Sequence, residues 1–363
     1  MARKLAFDRI LFVTCVGLAI AGLVMIFSAS APLALKNYKT PYFFLIRQSA
    51  ACLIGLVGMA VAMHVDYRRL LDRPVVMTAV GGSVLLLAGV LVADRAHMVH
   101  RWFRVGPIQV QPSEIAKLAL VLYLAYQVSR REDQVNDFKK TLLPIGAVVG
   151  MLAILVYLEP DLGTAALYVA ITGVLLFLAG LQWRYLAFTG AAAAMGLAAL
   201  IIKAPYRLRR ITAFLDPDGD PLGAGFQVRQ SILAVANGGV LGLSLGEGRQ
   251  KLFFLPEPHT DFIFSVVSEE LGLIGALCII GAFGVLLWRG LRAAQGAPDR
   301  GGFYLATAIT LWLVLQAVLN VGVVLGVLPT KGVPLPFLSY GGSSLVVSLV
   351  AVGVLLNVSQ HSA

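Results

Sequence analysis

Three titratable side chains fall within five residues of one another in Leu255-Pro-Glu-Pro-His-Thr-Asp-Phe-Ile-Phe264: Glu257, His259 and Asp261. Pro256 and Pro258 hold that backbone extended and forbid a helix through it. Thr260 and Asp261 are good N-cap residues and the chain is apolar from Phe262 onward, so a helix is expected from about Asp261. A carboxylate is welcome there, because the positive end of the helix dipole faces it. Glu269 and Glu270 follow in the same helix, roughly 12–14 Å deeper at ~1.5 Å per residue. Adjacent carboxylates at that depth are costly and mark function.

Four further clusters have the same character. Gln111-Pro-Ser-Glu-Ile-Ala-Lys117 offers Ser113 as a cap after Pro112, Glu114 in the first helical turn, and Lys117 one turn on. Lys117 is either the partner of Glu114 or a cation for something else. Arg101-Trp102 sets a cation beside an interfacial aromatic. In Glu159-Pro-Asp161, Asp161 reads as a helix cap, which leaves Glu159 without an explanation. Ser339-Tyr-Gly-Gly-Ser343 is small and polar; its glycines suit close helix packing, and Ser339 and Ser343 stay open.

The elements that must position these groups are membrane helices. Of 363 residues 58% are hydrophobic and 13% charged, with mean hydropathy +0.83; a soluble chain carries about a quarter charged residues. Ten apolar runs are long enough to span, near 10–28, 43–63, 75–93, 113–128, 142–158, 162–180, 185–202, 262–287, 303–326 and 336–356. We therefore expect an all-α polytopic membrane protein, one domain over 1–363, with ten transmembrane helices. The first run lacks a signal-peptide cleavage site and reads as a span. Lys and Arg favour the side holding segments 1–9, 64–74, 129–141, 181–184 and 288–302, fourteen against seven once the long loop 203–261 is set aside. That rule puts both termini in the cytoplasm and the long loop, between helices 7 and 8, outside.

The outer loop is basic. It holds Lys203, then Arg209 and Arg210 in Pro205-Tyr-Arg-Leu-Arg-Arg210, then Gly225-Phe-Gln227, Arg249 and Lys251 after an acidic bend at 216–221. Arg95 precedes Arg101, and Lys331 sits in the last outer turn. The net charge of +10 suits anionic lipid or an anionic substrate and argues against nucleic acid in a chain with no soluble basic domain. Cys15, Cys52 and Cys278 lie in apolar runs as packing residues, and neither they nor the five histidines have metal-ligand spacing. No GxxxxGK[ST] loop is present, so cytosolic nucleotide is not used by that route. A reaction on the outer face must then draw its energy from an already activated substrate, and lipid-linked donors fit because the membrane supplies them there.

Taken in order, Arg101-Trp102, Gln111-Pro-Ser-Glu-Ile-Ala-Lys117, Glu159-Pro-Asp-Leu-Gly163, Pro205-Tyr-Arg-Leu-Arg-Arg210, Gly225-Phe-Gln227, Leu255-Pro-Glu-Pro-His-Thr-Asp-Phe-Ile263 and Pro334-Leu-Pro-Phe-Leu-Ser-Tyr-Gly-Gly-Ser343 resemble the SEDS family of bacterial cell-wall polymerases. The likeness covers nearly the whole chain. Arg209-Arg-Ile-Thr-Ala-Phe214, Gln250-Lys251 and Leu328-Pro-Thr-Lys-Gly332 look more like its FtsW-type division branch than its RodA-type elongation branch. Two stretches depart from the pattern: Met98-Val-His100 before the Arg-Trp pair, and Pro258 before His-Thr-Asp.

The resemblance implies a peptidoglycan glycosyltransferase of the bacterial inner membrane that polymerises lipid II outside the cell during division. It also implies a class B penicillin-binding protein and other division proteins as partners, a divalent cation (Mg²⁺ or Mn²⁺), and Asp261 as the essential residue. An α-linked pyrophosphate donor and a β-linked product require inversion, for which one carboxylate base suffices; Asp261 would take the acceptor hydroxyl's proton. Arg101, Lys117, Arg209, Arg210 and Lys251 are the candidate cations for the leaving pyrophosphate, with Trp102, Glu257, His259 and Ser339 also at the substrate. Ser113, Glu114, Glu159, Asp161, Gln227, Glu269 and Glu270 would shape the cavity. A lipid II flippase is the competing class, with Glu269 and Glu270 in its favour.

Overall fold

The computed structural model describes residues 7–93, 101–105, 108–202, 205–216, 224–252, 254–330 and 332–361. Arg95, residues 98–100, Lys203, most of the acidic bend and Lys331 lie outside them.

Each apolar run is helical. The helices are α1 (Arg9–Tyr38), α2 (Phe43–His64), a short α3 (Tyr67–Leu70), α4 (Arg73–Ala93), α5 (Pro112–Ser129), α6 (Leu143–Leu158), α7 (Leu162–Leu178), α8 (Trp183–Ile202), α9 (Pro205–Leu215), α10 (Ala224–Gly238), α11 (Ile263–Gln295), α12 (Arg300–Val324) and α13 (Gly342–Gln360). Seven are long and apolar enough to cross a membrane: α1, α2, α4, α6 with the π-helical turn Phe138–Leu142 before it, α11, α12 and α13. Strands β1 (Phe103–Val105) and β2 (Ile108–Val110) form an antiparallel hairpin that pairs Phe103 with Val110.

Several boundaries differ from the expected ones. α1 continues to Tyr38 instead of stopping near 28. α13 starts at Gly342, not 336, because 332–341 is an irregular segment folded inward, with Leu335, Phe337 and Leu338 buried. α5 takes Gln111 as its N-cap with Pro112 at the first helical position, so Ser113 lies inside the helix. α11 begins at Ile263, two residues later than expected, with Phe262 in the N-cap position, so Asp261 does not cap it. Of the three cysteines, Cys15 and Cys52 are buried as expected, but Cys278 is exposed on the outer surface of α11.

Among the seven helices able to cross a membrane, α12 is the most enclosed apart from α13, with Trp312 and Gln316 fully buried. α11 and α5 pack against it, and α2 runs along α13. Small residues permit that closeness: a Cβ at Gly353 would collide with the Met59 carbonyl. Both ends of the described chain meet at one end of the bundle. There the Asp8 amide donates to Ser359 Oγ at 3.2 Å, and Asp8 pairs with Arg289 at 2.6 Å.

α11 is broken at Gly272, whose φ of 66° and ψ of −165° interrupt the helical ladder. The break leaves backbone groups unpaired, which is costly away from water. The segment after α10 supplies the partners: Leu243 and Ser244 donate to the carbonyls of Glu269 and Glu270, and Gly239 and Val240 accept from Leu273 and Ile274. Only glycine suits this position, since a Cβ at 272 would strike the Gly242 amide.

Glu269 and Glu270 complete this strap. Glu269 accepts from the amides of Arg249 and Gln250, and Glu270 accepts from Ser28 Oγ, the Gly246 amide and Lys251 Nζ, the last at 2.7 Å. Both carboxylates thus fasten a loop to a broken helix. Lys251, expected to face a substrate, is buried in this pair and also donates to Ser28 Oγ and the Gly246 carbonyl. Lys251→Met keeps the length and strands the Glu270 charge; we expect a loss of about 3–5 kcal/mol, read as a lower unfolding temperature in detergent. Lys251→Met with Glu270→Gln should recover much of that loss.

Candidate functional site

At the end of the bundle opposite the termini, the loop before α11, the segment before α13, the heads of α5 and α7 and the residues before β1 enclose a cavity of about 200 Å³. Asp261 lines it together with Arg101, Trp102, Glu114, Asp161 and Tyr340. Each is there for a local reason. Asp161 caps α7, accepting from the Thr164 amide at 3.1 Å and from Thr164 Oγ1 at 2.9 Å, which aims its carboxylate across the cavity mouth. Arg101 donates Nε to the Glu159 carbonyl at 2.7 Å and a terminal nitrogen to the Pro160 carbonyl, so the turn between α6 and α7 fixes its guanidinium. The hairpin behind Trp102 is pinned by Ser343, which accepts from the Gln111 amide and donates to the Gln109 carbonyl.

Asp261 is held by its backbone. Ser339 Oγ donates to the Thr260 carbonyl at 2.6 Å, and Asn320 Nδ2 donates to the Asp261 carbonyl at 2.8 Å. The carboxylate itself stands against Gly332, where a Cβ would come within 3.1 Å of Oδ2. Burial raises the Asp261 pKa, and the facing Asp161 raises it further; Arg101 opposes both, Glu257 adds to them and Arg210 subtracts, for a value of about 6. A carboxylate with that value is ionised at neutral pH yet basic enough to accept a proton.

Several expected neighbours lie elsewhere. His259 packs between Phe44 and Tyr340, ring centroids 4.6 and 5.5 Å away, and its buried Nδ1 has no partner. Burial lowers its pKa to about 4, so the ring is neutral and serves as packing behind the cavity. Glu257 points outward with its side chain 67% exposed, 3.7 Å from His259 Nε2. Lys117 is closed off: its ammonium meets Glu114 at 2.7 Å and Gln316 Oε1 at 2.9 Å, inside the bundle. Ser113 Oγ is buried without a partner, while the Ser113 carbonyl accepts from Tyr168. Ser339 works through backbone contacts and does not line the cavity. Arg209 and Arg210 are exposed on α9, where Arg210 still acts on Asp261 through its field. Gln227 is half-buried on α10, away from the described lining. Glu269 and Glu270 belong to the strap.

Glu159 ends α6 fully buried, and neither carboxyl oxygen has a hydrogen-bond partner. Burial and Asp161 raise its pKa to about 8 against the pull of Arg101, so it is protonated at neutral pH. Sequence motifs do not single out Gln48, Gln316 and Asn320, although each is a polar residue within an apolar run. Gln316 and Asn320 are also four residues apart, hence on one face of α12; that spacing was the signal that could have found them.

A family model described as "Cell cycle protein", spanning the FtsW, RodA and SpoVE proteins, matches residues 8–363. The chain is 45% identical over 363 residues to a "Probable peptidoglycan glycosyltransferase FtsW" of Geobacter sp. (strain M18), covering 99% of each. It is 41% identical over 361 residues to "Stage V sporulation protein E" of Bacillus subtilis (strain 168), again covering 99% of each. Among solved structures it resembles a chain from "Structural coordination of polymerization and crosslinking by a peptidoglycan synthase complex", at 35% identity, TM-score 0.80 and 98% coverage of both chains. Rod shape determining protein RodA of Thermus thermophilus follows at 30% identity and TM-score 0.72, with 98% of this chain and 97% of that one covered. On sequence and on fold alike, the chain belongs to the FtsW/RodA/SpoVE family.

Proposed function

We propose that this chain is a peptidoglycan glycosyltransferase that polymerises lipid II into β-1,4-linked glycan at the outer face of the inner membrane during cell division. The observation that carries it is the Asp261 carboxylate, basic and partly buried, facing Arg101 across a polar cavity in a chain whose relatives are named for that activity. Seven helices are long and apolar enough to cross a membrane. With α5, α7 and α8, of 18, 17 and 20 residues, and with Asp8 touching Ser359, they support ten spans with both termini on one side, which the positive-inside rule makes the cytoplasm. The cavity and the long loop then face outward, where lipid-linked donors are available.

In the reaction Asp261 takes the proton from the acceptor sugar hydroxyl as its oxygen forms the bond to the donor's anomeric carbon. The donor's bond to pyrophosphate breaks on the opposite side, with inversion. Arg101, fixed by the Glu159 and Pro160 carbonyls, stabilises the departing diphosphate without having to reorganise. A hard divalent cation held by the substrate phosphates, which is how Mg²⁺ is usually bound, would add positive charge at the leaving group. Among the described residues no cluster of three metal-ligating side chains occurs. A transpeptidase of the penicillin-binding class fits as partner, since the similar solved chain comes from a complex that joins polymerisation to crosslinking. The flippase alternative loses its best support, because Glu269 and Glu270 are consumed by the strap.

Purified protein with its partner, Mg²⁺ and lipid II should make glycan in detergent, where transport has no meaning. Asp261→Asn should fold normally and make none; polymer from that variant would remove Asp261 from the chemistry. The rate should rise with pH through about 6, as the base ionises, and then level off. Asp161→Asn removes a facing negative charge, so the limb should move to lower pH whatever it does to the maximum rate. Gly332→Ala puts a methyl against the Asp261 carboxylate and should slow polymerisation about 10-fold by displacing it, with little change in unfolding temperature.

A further inference from the structure

We infer that Asn320, an interior residue of α12, is a positioning residue for the reaction, because its one amide group fixes the distance between the Asp261 turn and the opposite wall of the cavity. The inference rests on Asp261 being the base. Asn320 is 2% exposed. Its Nδ2 donates to the Asp261 carbonyl and to the Val333 carbonyl, both at 2.8 Å. Val333 lies between Gly332 and Pro334, which form the wall facing Asp261. Both amide hydrogens are thereby spent on two loops, which Ser339 also ties together from within the second through the Thr260 carbonyl and the Leu335 amide. The buried Oδ1 has no partner. A flipped amide would turn that oxygen onto two carbonyls, so the orientation is set by the pair it grips.

The neighbouring turn of α12 repeats the device. Gln316, four residues earlier, donates Nε2 to the Pro334 carbonyl at 2.8 Å. Its Oε1 accepts from Trp312 Nε1 and from Lys117 Nζ, both at 2.9 Å. The Glu114–Lys117 pair thus orients Gln316, and α12 holds consecutive carbonyls of the cavity wall from below. Of the two amides only Asn320 reaches Asp261.

The consequence is chemical as well as geometric. Asp261 faces Asp161 at the head of α7, Glu114 at the head of α5, Arg101 before β1, Arg210 on α9 and Glu257 of its own loop, with His259 and Tyr340 behind. Its basicity comes first from burial, which lasts only while the turn stays closed against Gly332. Slackening the clamp lets water in and returns the carboxyl toward its ordinary range.

The test uses the full chain with its partner and lipid II, comparing Asn320→Leu, which loses both donors at similar volume, with Asn320→Asp, which keeps one when protonated. We expect Asn320→Leu to lose about 10²-fold in kcat with KM nearly unchanged. Its acid limb should fall below the wild-type value near 6, and Asn320→Asp should lie between on both measures. A folded Asn320→Leu with wild-type kcat overturns the inference. So does a loss of activity that follows the folded fraction while the limb stays put. If Asn320→Leu does not fold, Asn320→Asp carries the same two readouts. Asp261→Asn runs alongside: polymer from it sinks the base assignment, whereas a dead Asp261→Asn beside a normal Asn320→Leu sinks only the clamp.

Discussion

Backbone carbonyls that have no helical partner and little water must be met by side-chain donors, and here that constraint builds the site. The turn ending at Asp261 and the segment before α13 are both irregular and both lie against the bundle interior. Ser339 takes the Thr260 carbonyl, Asn320 those of Asp261 and Val333, Gln316 that of Pro334, and Gln48 that of Ser339. Each is a neutral donor from a rigid helix or a buried turn, so the loops acquire a fixed shape without buried charge. A hydrogen bond of this kind contributes only ~1 kcal/mol net, yet leaving its acceptor bare costs more. The network therefore selects one geometry more than it adds stability.

Charge is divided in the same spirit. Two lysines that a sequence reader would send to the substrate, Lys117 and Lys251, are buried against Glu114 and Glu270. Such pairs roughly break even against apolar packing, but losing one member is expensive, so they lock an arrangement. What remains open in the cavity is a small set: Asp261, Asp161 and Arg101, the last tied down by carbonyls instead of a carboxylate. An arginine held that way keeps its full charge for whatever enters. The neutral Glu159 beside it avoids cancelling that charge.

The break in α11 serves this division. Glu269 and Glu270 come just before Gly272, and the strap after α10 fills the freed positions with main-chain bonds. The nine residues of α11 before the break thereby stand as a short post beneath the Asp261 turn, and the strap after α10 is fastened to them by main-chain bonds.

Much of this was legible in the chain by itself. Apolar length decides a membrane helix locally, so every apolar run could be read as helical, seven of these helices being long and apolar enough to cross a membrane, with errors at the ends where irregular but buried segments such as 332–341 look apolar too. Asp161 as a cap, and the grouping of Arg101, Trp102, Asp161 and Asp261, followed from local rules and ordered motifs. The bond of Lys117 to Gln316, the partners of Lys251, Glu269 and Glu270, the retreat of His259 into an aromatic cluster, and the clamp from Asn320 did not. Which charges are spent on each other and which are left for a substrate depends on distances between residues as much as 281 positions apart, as for Asp8 and Arg289. Only the packed bundle sets those distances, because a side chain's partner is chosen by three-dimensional proximity and burial, to which spacing along the chain is blind beyond a turn or two of helix.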